Sequence, residues 1–270
     1  MSAGSLPEDG EFQFGSVRLP AGKRIRAGYE APSPVAWVTR EVVPEPGRAW
    51  AALSGARHET GLVPFLLGNL PGHPARPWET EEFDQPADPG QLDDVAAVDV
   101  LAEMWDGQMP SDEEEKEEGE EWAQEYAQMR APFGRQFPGL AAPEDTRLSP
   151  GRLDEVLGSL AAARIGLVPA SRPADALPLI GWTPSDQSDA LPIAAVVRSW
   201  EDRFGARLLR VGFAEISLLI DRPPQTIGHA QRIAAEHFAF CDECAGEGLS
   251  DIPSITASLM EAPIWTFWWD

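Results

Sequence analysis

The segment Ile264-Trp265-Thr266-Phe267-Trp268-Trp269, one residue from the end of the chain, constrains the fold more than any other stretch. Its aromatic and β-branched side chains suit a pleated, half-buried surface. As a strand it sends Trp265, Phe267 and Trp269 to one face and Ile264, Thr266 and Trp268 to the other, so both faces read as apolar. Each large aromatic buries about 150–250 Å². One face therefore needs helices, and the second needs a further cover, either the chain's own N-terminal half through Leu62–Leu67 and Val35–Val43, or another protein.

The elements before this strand follow from local signals. Ser149 followed by Pro150 opens a helix whose apolar stripe is Leu153, Val156, Leu157 and Leu160. Ile165–Pro169 reads as a buried strand. Ile193, Val196, Val197, Trp200 and Phe204 form one helix face, closed by Gly205. Leu208–Val211 and Ile216–Ile220 flank Gly212–Glu215 as a hairpin, and Thr226 caps a helix running toward Gly246. A short helix over Pro253–Glu261 precedes the last strand. The order β-α-β-β-α-(α)-β predicts an α+β fold in which residues 150–270 form a ferredoxin-like sandwich.

Residues 1–149 read as a separate, acidic, Pro-rich α+β region with a linker, packed on that sandwich. Strands are predicted over Phe12–Leu19 and Val35–Val43, and helical spacing at Trp50 and Leu53 ends at Gly61. Leu62–Leu67 is apolar, but Pro64 argues for an edge strand. A Pro-rich stretch over Pro71–Pro89 leads to a helix through Leu92 and Trp105. The acidic run Asp112–Glu121 reads as a solvated face, and Ala131–Pro150 as a connector.

Charge and targeting signals narrow the function classes. With 21 basic and 44 acidic residues the net charge is −23, a field that repels nucleic acid and anionic lipid. No apolar run is long enough to cross a bilayer, and Met1–Asp9 lacks the pattern of a signal peptide, so the expectation is a cytoplasmic protein with no membrane partner. Lys occurs only at Lys23 and Lys116. The preference for Arg reads as genome composition and carries no functional weight.

Several segments together resemble the bacterial DUF4253 family: Gly166-Leu167-Val168-Pro169-Ala170, Arg172-Pro173-Ala174-Asp175, Gly181-Trp182, Arg198–Ala206, Arg222-Pro223-Pro224, Glu236–Cys241 and the ending Trp265–Asp270. The aromatic ending is the most specific. The resemblance implies a domain without an assigned activity, so no catalytic residue is carried over.

Three chemical readings remain. His237, Cys241 and Cys244 form an H-x3-C-x2-C array that on one helix face would suit Zn(II), with Glu243 or Glu247 as a further ligand. Buried Cys and His are common in core helices, so core packing is the favoured reading of the same residues. A redox dithiol is the third reading, but Asp242, Glu243 and Glu247 near a helix C-terminus predict reduced, protonated thiols. Glu236-His237 reads as a helix turn or as an acid–base dyad. Asp175, Trp182, Glu215, His237 and Asp270 place carboxylates beside aromatics, where pKa values shift. The favoured function is a non-catalytic protein-interaction domain without cofactor, binding another protein through Asp175, Trp182, Glu215, Trp265, Phe267 and Trp269. The alternative is a metal-dependent or small-molecule-binding enzyme centred on His237, Cys241 and Cys244.

Overall fold

A computed structural model describes residues 4–28, 31–184, 189–241, 251–260 and 262–269. The N-terminal hairpin pairs β1 (Gly10–Phe14) with β2 (Val17–Ile25). Gly15, at φ +55°, makes the turn, so the strand expected over Phe12–Leu19 is two strands. Then come β3 (Ala36–Thr39), helices α1 (Pro46–Gly55) and α2 (Arg57–Thr60), and β4 (Leu62–Leu67). Three helices follow: α3 (Ala97–Gly107), α4 (Asp112–Glu118) and α5 (Glu120–Met129).

The second half holds α6 (Pro150–Gly158), β5 (Ile165–Pro169), α7 (Ala176–Ile180), α8 (Ala190–Phe204), β6 (Arg207–Val211), β7 (Glu215–Leu219), α9 (Ile227–Phe240), α10 (Ile252–Leu259) and β8 (Ile264–Trp268). The predicted caps form. Ser149 accepts from the Arg152 N–H, Thr226 from His229, and Gly205 takes φ +63° beyond α8.

The chain is α+β, built on one eight-stranded mixed sheet of order β1-β2-β3-β5-β4-β6-β7-β8. The ferredoxin-like strand order does not form, for one reason. Strand β4 enters the C-terminal half, antiparallel to β5 and parallel to β6, so the sheet crosses the predicted boundary at residue 150. It also replaces the ferredoxin-like order, in which the strands of residues 150–270 would pair among themselves.

Pro64 sits in this central strand because the ladder is open beside it. Pairing of β4 with β6 begins only at Leu66–Arg210. Before that point the Trp50 indole N–H spans the gap, donating to Pro64 O at 3.0 Å and Leu208 O at 3.1 Å. A proline lacks only a donor, and its carbonyl is satisfied by a side chain instead of a strand.

The sheet divides two cores. One lies under α3, α7, α8, α9 and α10 and centres on Trp105, Trp182, Trp200, Phe204 and Phe238. The other lies under α1 and α6 and contains Trp37, Trp50, Leu66 and Ile165. Strand β8 is the sheet edge. Trp265, Phe267 and Trp269 are buried beneath α8 and α9, with the Phe267 ring stacked on Trp200 at 5.1 Å. On the opposite face Ile264 touches the second core, Ser217 and Thr266 hydroxyls meet at 3.0 Å, and Trp268 is 46% exposed. The N-terminal half thus extends the sheet sideways instead of covering this strand.

Candidate functional site

The residues singled out from sequence fall mostly into the core. Trp182, Trp265, Phe267 and Trp269 do come together, in one aromatic cluster with Trp200 and Phe240, but all four are buried. Trp182 donates its indole N–H to Gly212 O at 2.8 Å. A docking surface made of these rings is therefore absent. Glu215 opens β7 opposite Trp268. Asp175 lies elsewhere, accepting from Arg198 at 2.7 Å and from the Arg172 N–H at 3.1 Å.

His237 is packed among rings, 4.5 Å from Trp265, 4.8 Å from Phe267 and 5.2 Å from Trp200 between centroids. Burial pushes its pKa down to about 3, so it is neutral. Helix α9 ends at Phe240, and Cys241 turns to extended backbone, so Cys241 does not continue the helix face of His237 that the array requires. Cys241 is disulfide-bonded, where the sequence predicted a reduced thiol. Cys244, Glu243, Glu247 and Asp270 lie outside the described residues. Among the described residues no group of three His, Cys, Asp or Glu is arranged to hold a metal.

Glu236 is no partner for His237. Its carboxylate, fully buried, accepts from Arg203 at 2.7 and 2.6 Å, from the Trp200 indole at 2.8 Å and from the Ala141 N–H at 2.7 Å. Four donors occupy both of its oxygens. It fastens α8, α9 and the connector around Ala141 into one body.

A second charged cluster ties the halves together. Arg198 pairs with Asp175 and with Asp93 at 2.8 Å, and Arg172 pairs with Glu201 and Asp202. Burial pushes the Glu201 carboxyl above its usual range, against the pull of Arg172. Arg172, Arg198, Asp175 and Asp93 border a cleft of about 410 Å³, where both arginines are already engaged by carboxylates.

Another cleft has unmatched charge. Strands β3, β4 and β6 run in one direction, and the register aligns Thr39, Leu67 and Arg210–Val211 with the start of β5. Arg40 follows β3, Arg164 precedes β5 and Arg210 belongs to β6, so three guanidiniums line up at one end of the sheet. They border a cleft of about 650 Å³ with Val42, Leu67, Asn69, Glu79 and the Ala161–Ala163 stretch. Crevices outside the carboxyl ends of such strands are the usual ligand sites of open sheets.

Each arginine is held differently. Thr39 Oγ1 accepts from the Ile165 N–H at 3.0 Å, and the Arg40 N–H donates to Ala21 O, which pins the backbone at Arg40. Arg164 is buried and bonded to Glu79, Asn69 Oδ1 and Pro74 O. Its guanidinium holds the Glu79 carboxyl below the usual range, burial opposing and Lys23 assisting at 3.4 Å. The side chains of exposed Arg40 and half-buried Arg210 make no hydrogen bond or ion pair with any described residue. The sequence reading, which gave Arg no weight, missed this site. Its one local signal is a charge inside an apolar strand, Leu208-Leu209-Arg210-Val211.

No curated protein and no solved structure matches the chain. Residues 164–270 match the family model described as "Domain of unknown function (DUF4253)". That span carries Arg164 and Arg210 together with β5 to β8, whereas Arg40 and β4 come from the preceding half. Over residues 164–270, the segment from Arg164 through β8, this chain is similar to the DUF4253 family.

Proposed function

We propose that this chain is a non-catalytic binding protein and that the arginine cleft receives an anionic group of its ligand. The observation that carries the reading is the pair of unpartnered guanidiniums, Arg40 and Arg210, in a chain of net charge −23. Carboxylates outnumber cations about two to one in the chain, yet among the described residues Glu79 is the one carboxylate that lines the cleft. A guanidinium presents planar donors that fit carboxylate or phosphate in bidentate fashion. Arg164, held by three acceptors, is the fixed wall, and the other two arginines are the available donors.

The groups that acid–base chemistry would use lie elsewhere: His237 is buried and neutral, and Glu236 is saturated. The protein-interaction reading narrows accordingly. A partner protein would present an acidic side chain or a phosphate to this cleft instead of gripping the aromatic strand. A cytoplasmic setting, away from membranes and nucleic acid, goes with the overall negative field. That field is screened over about 8 Å at physiological salt, so the local arginines govern a small anion inside the cleft.

The test is a thermal melt in inorganic phosphate against chloride at matched ionic strength. Phosphate should raise the Tm of the wild-type protein above the chloride control, and Arg40→Gln and Arg210→Gln should each reduce that gain. Identical melts in both salts would overturn the proposal.

A further inference from the structure

The geometry points to an organic dianion with a short aliphatic body as the occupant of the arginine cleft, an inference that rests on the binding reading above. Three features converge on this class. The first is width. In the order β3-β5-β4-β6, Arg40 and Arg210 stand three strand spacings apart, about 14 Å at the backbone at about 4.8 Å per step. That spread leaves room for an anion carried on an organic body, larger than one small ion.

The second feature is charge. Among the described lining residues three guanidiniums face one carboxylate, Glu79, which Arg164 and Lys23 already engage. The two remaining positive charges match a ligand of charge −2. The third is the wall. Val42, Leu67, Ala161 and Ala163 line the space with aliphatic surface, and Val42, 57% exposed, is a large apolar side chain left open to solvent at this site. A volume of about 650 Å³ lies within the usual range of small-molecule sites, about 300–1,000 Å³, and far exceeds the size of a bare phosphate ion. Dicarboxylates and phosphomonoesters share this chemistry, two negative charges on a small aliphatic scaffold.

Calorimetric titration of the full chain with five probes tests the inference: inorganic phosphate, butyrate, glutarate, glycerol 3-phosphate and a glutamate-rich peptide. Glutarate or glycerol 3-phosphate should bind at least about tenfold more tightly than inorganic phosphate or butyrate, and which of the two leads identifies the source of the charge. Arg40→Gln and Arg210→Gln should each weaken the leading dianion about tenfold. Val42→Ser, at an exposed position, should weaken the organic dianion and leave inorganic phosphate unchanged. If inorganic phosphate binds as tightly as the organic probes, the anion cleft stands and the aliphatic dianion falls. Binding of the acidic peptide with no binding of the small dianions would also overturn this inference, in favour of a partner protein. Binding of none of the probes would overturn the cleft itself.

Discussion

Arg203→Met removes the cation from the fully buried Glu236 carboxylate while keeping an unbranched apolar stem. Glu236 is 0% exposed and loses two of its four donors, the Arg203 contacts at 2.7 and 2.6 Å. The Trp200 indole and the Ala141 N–H remain, and neither carries a charge. Breaking a buried pair from one side costs about 3–5 kcal/mol, because the other charge stays without compensation. Ala141 O, which accepts from Arg203 at 2.9 Å, is orphaned as well. Against a total stability of about 5–15 kcal/mol, that loss removes about a fifth or more. Urea unfolding at pH 7, followed by tryptophan fluorescence, should show the loss as a lower midpoint. Arg203→Lys, which keeps the charge but not the two-pronged contact, should fall in between. A loss below about 1 kcal/mol for Arg203→Met would refute the view that Glu236 is a dry anchor dependent on its Arg203 pair.

Two further outcomes follow from the same structure. His237 has its pKa lowered from 6.5 to about 3 by burial, so between those values the unfolded chain takes up a proton that the folded state refuses. Stability is complete above pH 6.5 and falls as pH drops through the window, by about 1.4 kcal/mol per unit from this group; acid unfolding of His237→Phe should accordingly be shallower than wild type, and an unchanged slope would contradict the burial. Deleting residues 1–149 removes β4 from between β5 and β6, and the fragment should show no cooperative melt; a sharp transition with native-like near-UV dichroism would mean that the C-terminal strands close up without it.

How much was legible depended on the range of the signal. Ser149-Pro150, Thr226 and Gly205 mark helix ends through contacts within four residues, and all three were readable. Trp200 was placed in the core by its 3.6-residue stripe, and it is fully buried. Strand β4 was misplaced because the proline rule assumes a closed ladder, and the opening beside Pro64 depends on Trp50 and Leu208, which no local pattern links. Strand β8 shows the same gap. Alternation gave its two faces correctly, but Trp268 is as apolar as Trp265, and only the positions of α8 and α9 decide which one is dry. The arginine cleft was invisible for a topological reason. Arg40, Arg164 and Arg210 lie far apart in sequence and meet only because β3, β5, β4 and β6 are neighbours.

The central claim is that Arg40 and Arg210 hold an anion at the carboxyl ends of β3, β4 and β6. Arginine side-chain Nε–Hε resonances, recorded during titration with glutarate and with glycerol 3-phosphate, report on it directly. The account predicts saturable shifts of the Arg40 and Arg210 signals, with Arg164 perturbed through the same cleft and the paired Arg172, Arg198 and Arg203 unmoved. Shifts confined to those paired arginines, or none that saturate, would contradict it.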